Sequence, residues 1–308
     1  MLNKLSELES YLKEHHIRCR LVIPAARDEN VLNAAFTAHR IGIVDTTLIG
    51  SERVIRELAD EKNFDLSEIN IINEDNAAEA AIQSVRMVRE GSADIIMNGE
   101  ESYYGANMIL KQIDDRRRGI RKGSIMSHMA IFEVERYHKL IAVTDTVLNV
   151  APDLSTKAGI AHNAVFFMRR LGIEIPKVAV LAAIEVVNEA MPATMHAGLL
   201  SKMAQRGQIK NCVIDGPLAF DNAISRESAV HKGIINEVAG DPDILLAPDI
   251  ETANILYQSF VFFANARVAS VALGASAPIV FTSKLDTDET RVASILLAAA
   301  AYVPISYR

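Results

Sequence analysis

The chain has 308 residues, a formal net charge of -7, 50% hydrophobic and 6% aromatic residues, and no Trp. That acidic balance argues against a nucleic-acid scaffold, whose phosphate contacts need a basic face. No window reaches the roughly 18 uninterrupted apolar residues of a membrane span, and the two cysteines, Cys19 and Cys212, each open an apolar run as small buried thiols do, which fits neither a disulfide framework nor a zinc site.

Residues 1–8 read as an amphipathic helix with no signal-peptide core behind it, so a soluble, reducing, cytoplasmic setting is the expectation. Beyond it, short β-branched runs alternate with helical patterns. Strands are predicted over 20–23, 47–49, 69–72, 94–97, 140–144, 178–182, 211–214, 244–247, 268–273 and 278–281. Helices are predicted between them, among them 29–41, 76–90, 155–171, 193–206, 251–265 and 290–301. This alternation specifies an α/β fold with a largely parallel sheet. The least regular stretch, 99–134, holds the basic cluster Arg116-Arg117-Arg118-Gly119-Ile120-Arg121-Lys122-Gly123. Such a cluster is either a solvated surface loop or a phosphate-binding wall at a cleft.

Four segments follow strands and carry polar residues. They are Thr144-Asp145-Thr146-Val147-Leu148-Asn149, Glu185-Val186-Val187-Asn188, Asp215-Gly216-Pro217-Leu218-Ala219-Phe220-Asp221 and Ala247-Pro248-Asp249-Ile250-Glu251-Thr252-Ala253-Asn254. In a parallel sheet such loops leave one edge, where open α/β sheets bind ligands. Asp145 and Asp249 also suit helix caps. Asn254, inside a helical pattern that Asn does not favour, calls for a polar partner. His128, at the mouth of an apolar run, reads first as a structural histidine. No Walker loop, Gly-x-Ser-x-Gly elbow, His-Glu-x-x-His, Cys-x-x-Cys or Gly-x-Gly-x-x-Gly is present, and the aspartates lack metal-cage spacing.

Taken in order, Ser127-His128, Thr144-Asp145 with Asn149-x-x-Pro152, the run 182–188, Lys202-Met203-Ala204-Gln205-Arg206-Gly207, Asp215-Gly216-Pro217-Leu218-Ala219, Pro248-x-Ile250-Glu251-x-x-Asn254-Ile255-Leu256-Tyr257 and the run 277–283 closely resemble the phosphate butyryltransferase branch of the phosphate acetyl/butyryltransferase family. The resemblance implies two α/β domains flanking a cleft, isocitrate/isopropylmalate dehydrogenase-like, with 1–142 and 277–308 forming the first and 143–276 the second, usually in a homodimer. It implies reversible acyl transfer between coenzyme A and inorganic phosphate, with CoA as substrate and no further cofactor or metal. A CoA or acyl-CoA binding protein with little transfer activity is the alternative.

By the same resemblance Ser283, Lys284, Arg121 and Ser127 meet phosphate and carbonyl oxygens, Asn254, Asp215 and Asp145 line the opposite wall, and His128, Asn149, Gly216, Pro217 and Tyr257 complete the substrate site. Phosphotransacetylases typically carry Ser-Arg-Gly-x-Ser-x-x-Asp near the carboxyl terminus, the last Asp serving as the base for the thiol. Here Thr290 stands at that position and Lys284 at the Arg, and Asp286 is the carboxylate expected near the sulfur, with Glu289 as the alternate. Either carboxylate would equally suit the cap of the helix that begins near Thr290. Asn98 stands where relatives of the butyryl branch commonly have Lys, followed by Glu100 and Glu101.

Overall fold

A computed structural model of the protein describes residues 2–100, 103–123 and 125–302. After a 3-10 turn, Leu5–Glu7, the elements run α1 (Leu8–Glu14), β1 (Cys19–Pro24), α2 (Glu29–Ile41), β2 (Val44–Gly50), α3 (Glu52–Lys62), β3 (Asn70–Asn73), α4 (Ala77–Arg89), β4 (Ile95–Met97), α5 (Tyr103–Ile113), β5 (Ser127–Glu133) and β6 (Ile141–Thr144). They continue α6 (Leu154–Arg170), β7 (Lys177–Leu181), α7 (Pro192–Gln205), β8 (Val213–Leu218), α8 (Phe220–Ile224), α9 (Arg226–His231), β9 (Ile244–Leu246), α10 (Ile250–Phe262), β10 (Arg267–Leu273), β11 (Ile279–Val280) and α11 (Asp288–Tyr302). Local chemistry sets many of the boundaries. Asp28 caps α2 by accepting the N–H groups of Asn30 and Val31, and Gly42 ends that helix in the left-handed region at φ 86°. Asn76, Asp153 and Asp249 cap α4, α6 and α10 in the same way.

The chain divides into two compact units, with borders at Lys122/Gly123 and Val268/Ala269. The first comprises Ser6–Lys122 and, among the described residues, 269–302. Its strands lie in the order β3-β2-β1-β4-β11-β10, all parallel except for the antiparallel pair β10 and β11. Leu21, Val22, Ile23, Ile95, Ile96 and Met97 are buried, as are Ile295 and Leu297 of α11. This near-continuous apolarity is what a parallel sheet covered on both faces requires.

The second unit has the order β5-β6-β9-β7-β8, parallel apart from the antiparallel pair β5 and β6. Its core holds Phe132, Ile141, Val143, Ala179, Leu245 and Ala253, and the Phe132 ring meets Tyr257 and Phe260 edge-on at centroid distances of 5.3 and 5.1 Å. At the amino ends of its strands Asp241 takes Lys139 at 2.9 Å, Lys177 at 2.5 Å and His138 at 2.7 Å. Against burial, which raises it, the hydrogen bonds from Lys177, Lys139 and His138 and the charge of Lys139 hold the Asp241 carboxyl well below the usual carboxylate range.

Two expectations change. The stretch 99–134 is not irregular throughout: it contains α5 and the fully ordered strand β5, whose pairing with β6 places Ser127–Glu133 in the second unit. Asp215, Gly216 and Pro217 do not follow a strand but lie within β8. Pro217 is accommodated there because β8 is the edge strand and its register with β7 shifts between Ala179 and Leu181.

Candidate active site

In the first unit, the carboxyl edge of the parallel strands carries a compact loop between β11 and α11. Asp286 accepts the Ser283 N–H through Oδ2 at 2.8 Å, Ser283 Oγ accepts the Leu285 N–H at 3.3 Å, and Thr287 Oγ1 accepts the Thr290 N–H at 3.1 Å. Thr287, rather than Asp286 or Glu289, thus caps α11. The loop is gripped from below by Arg291, 2% exposed, whose Nη1 donates to the Asp286 carbonyl at 2.5 Å and whose Nη2 donates to the Ser283 carbonyl at 3.1 Å. Lys284 is exposed beside it. At the same edge Asn98 is buried and donates to the Glu100 carbonyl, while Glu100 pairs with Arg27. That pair counters the negative charge Glu100 would otherwise bring; Glu101 lies outside the described residues. Gly99 is required there, since a Cβ would sit 2.2 Å from the Pro24 carbonyl oxygen.

Arg121 is elsewhere. It bridges Ala275 in antiparallel fashion and pairs with Asp114 at 3.3 Å, next to Ser276, at the amino end of β11 rather than its carboxyl end. Helix α11 gives the separation: 15 residues long, it starts beside the Ser283 loop and ends at Tyr302, bonded to Asp94 just before β4. At 1.5 Å per residue that is about 22 Å. Within this unit the structure brings Ser283, Lys284 and Asp286 together and leaves Arg121 at the opposite sheet edge.

In the second unit the loops after β6, β7, β8 and β9 leave one edge, as the parallel pairing demands. Ser127 is buried and its Oγ accepts a hydrogen bond from Asn163 Nδ2 at 3.0 Å. Next to it, His128 Nδ1 lies 2.6 Å from Thr146 Oγ1. Burial pushes the imidazole down to about 4, the Asp145 charge opposing, so the ring is neutral at neutral pH. Asp145, also buried, accepts the N–H groups of Val147 and Leu148 at 2.9 Å through Oδ1 and Asn149 Nδ2 through Oδ2, and Asn149 Nδ2 also donates to the Met126 carbonyl at 2.9 Å. Asp145 therefore organises the loop after β6 from inside.

Asp215 accepts from Asn236 Nδ2 at 2.6 Å, and Asn236 in turn accepts the Val238 and Ala239 N–H groups, so this carboxylate ties β8 to the segment before β9. A Cβ on Gly216 would lie 2.7 Å from the Val180 carbonyl oxygen, so only glycine permits the approach of β8 to β7. Glu185 takes Lys232 at 2.5 Å and Asn222. Asp249 caps α10, and Asn254, one turn on, is exposed and its side chain has no hydrogen-bond partner among the described residues, contrary to the polar partner its place in the helix calls for. Tyr257 turns its ring into the core against Phe132.

Residues 75–299 match the model of the family described as phosphate acetyl/butaryl transferase. The chain belongs to the phosphate acetyl/butyryl transferase family. It is 40% identical over 97% of its length to the phosphate butyryltransferase of Clostridium acetobutylicum, of which 98% is covered. It is also 40% identical over 91% of its length to the phosphate acetyltransferase of Thermotoga maritima, 94% of which is covered. Among solved structures, a branched-chain phosphotransacylase from Enterococcus faecalis superposes with a TM-score of 0.81 at 25% identity, covering 93% of this chain and 99% of that one. Family members are acyltransferases, and the mixed α/β fold with a large sheet is that of the phosphotransacylases.

Several residues of this phosphate acyltransferase-family chain were not singled out by its sequence. Asn163 holds Ser127, Asn236 holds Asp215, and Arg291 holds the Ser283 loop, while Thr146, named only within its loop segment, holds His128. Each sits in a regular pattern that helix or turn chemistry already explains, so only the fold reveals its partner. Lys157, buried on α6, lies 3.0 Å from His196 Nδ1 on α7. Desolvation holds the pKa of both below the ordinary value, with Asp249 and Asp153 opposing on the lysine.

Proposed function

We propose that this chain catalyses reversible transfer of a short or branched acyl group between coenzyme A and inorganic phosphate, butyryl-CoA and phosphate giving butyryl phosphate and CoA. The observation that carries this reading is the coincidence of family membership over nearly the whole chain with a hydrogen-bonded Ser283–Asp286 loop at a strand carboxyl edge. In the forward direction a phosphate oxygen attacks the thioester carbonyl, the carbonyl oxygen gains negative charge, and the thiolate leaves as the C–S bond breaks. In reverse the thiol must lose its proton, and a free thiol of pKa about 8.5 is mostly protonated at neutral pH.

Lys284 supplies the charge for phosphate, Ser283 a hydroxyl for an anionic oxygen, and Asp286 the carboxylate that accepts the thiol proton. Asn254, exposed at the edge of the second unit, donates to the acyl carbonyl or phosphate. Ser127, His128, Asp145, Asn149, Asp215, Gly216 and Pro217 shape the substrate side of that unit, with Tyr257 behind them, while Arg121 acts elsewhere. The isocitrate/isopropylmalate dehydrogenase-like arrangement with a cleft between two domains, the homodimer and the cytoplasmic setting belong to the same proposal and rest on the family. No helix among the described residues is long and apolar enough to cross a membrane.

The test is release of free thiol from butyryl-CoA with and without phosphate, beside Lys284→Ala and Asp286→Ala. Phosphate-dependent release that drops in both variants is the expected result. CoA binding without phosphate-dependent release overturns the proposal in favour of a binding protein.

A further inference from the structure

Arg121 and Lys122 of the basic cluster lie away from the Ser283 loop and need their own account. Arg121 and Lys122, together with Arg89 from the last turn of α4, line a surface groove of about 410 Å³ whose other walls include Val88, Ile120 and the Tyr302 ring. Among the described residues its lining holds three cations and no carboxylate, with Asp114 paired to Arg121 and Asp94 bonded to Tyr302 beside it, on a chain whose net charge is -7.

The groove is built rather than incidental. Arg121 is fixed by its bridge to Ala275, and the Lys122 N–H donates to the Gly274 carbonyl at 2.9 Å, so both cations hang from paired backbone. Arg89 Nη1 donates to the Arg118 carbonyl at 2.8 Å and braces the turn, which Asp115 closes by accepting the N–H groups of Arg117 and Arg118. The competing ion pairs, Arg121 with Asp114 at 3.3 Å and Arg89 with Glu90 at 3.9 Å, are exposed and readily exchanged for phosphate oxygens. Its volume falls in the small-molecule range of roughly 300–1,000 Å³, more than orthophosphate alone would use. A held aromatic ring beside fixed cations matches an anion with a flat end.

We propose that this groove binds a nucleoside di- or triphosphate, the phosphates on Arg89, Arg121 and Lys122 and the base against Tyr302 and Val88. The site is distinct from the Ser283 loop, at the other edge of the same sheet.

Calorimetric titration of the full chain with ATP at low ionic strength, free of divalent metal, reads binding independently of turnover, so its failure and that of the acyl-transfer reading are separable. Binding weakened about tenfold in Arg89→Ala and in Lys122→Ala, each of which removes one charge-assisted hydrogen bond to phosphate, is the expected result. The weakening should come with unaltered thiol release in both and, in Lys122→Ala, an unaltered melting temperature, and saturating CoA should leave the ATP site intact. Tripolyphosphate should bind more weakly than ATP. No binding, equal affinity in the variants, displacement by CoA, or equal affinity for tripolyphosphate each overturns the proposal.

Discussion

Arg291 Nη2 donates to the carbonyl oxygen of Ser283 at 3.1 Å, and the guanidinium that does so is buried at the start of α11. The loop proposed to meet phosphate is therefore held by a cation beneath it that does not itself reach solvent. Arg291→Met would leave the Ser283 and Asp286 carbonyls without that donor. A loss of about 3 kcal/mol in urea unfolding is expected, together with a fall in kcat/KM for thiol release.

Asp286→Asn keeps an oxygen that can accept the Ser283 N–H but removes the negative charge. If the carboxylate serves the thiol, kcat for acyl-CoA formation drops at least tenfold while the melting temperature stays near that of the parent. Unchanged kcat would reduce Asp286 to a loop brace.

His128 makes the second unit sensitive to acid. Its folded pKa, about 4, is below the ordinary value of 6.5, so between those values the unfolded chain binds more protons and stability falls as pH falls. The contribution is complete above about 6.5 and lost towards 4, with a slope of at most about 1.4 kcal/mol per pH unit. Urea midpoints measured from pH 7 to pH 4.5 should decline less steeply in His128→Asn than in the parent. His196, also depressed, acts in the same direction and remains in both.

Gly216→Ala places a methyl group against the Val180 carbonyl at the junction of β7 and β8. A cost of about 2 kcal/mol is expected, because the obstruction is backbone and cannot swing away. Thermal unfolding measures it.

The Thr46 side-chain oxygen, in β2, is buried with no hydrogen-bond partner among the described residues. Thr46→Val preserves the shape and removes the unpaired hydroxyl, so a gain of about 1 kcal/mol is expected in denaturant unfolding.

Most of the α/β order was legible because strands buried on both faces announce themselves as apolar runs. The helix 29–41 was readable to the residue, and Asp28 and Gly42 are what bound it in the structure. Strand β5 was hidden by the basic cluster before it, and only pairing with β6 shows that Ser127–Glu133 is extended. The family was legible through ordered motifs, yet a sequence does not say at which sheet edge a loop emerges. Arg121 was therefore grouped with Ser283, although the bridge to Ala275 puts it at the other end of β11. Asp145 and Asp215 carry the opposite lesson: the residue types drew attention, but their oxygens turn out to hold neighbouring backbone and amides.

Strand β11 is inserted between β4 and β10, and α11 packs beside α2, although some 150 residues of the other unit intervene in the chain. On a ribosome that makes the chain from its amino end, the unit made from residues 123–268 has all of its strands in hand while the first still lacks the one that fills the gap beside Met97. The earlier-synthesised half is thus the later to mature, and during that interval it presents an open strand edge to other chains.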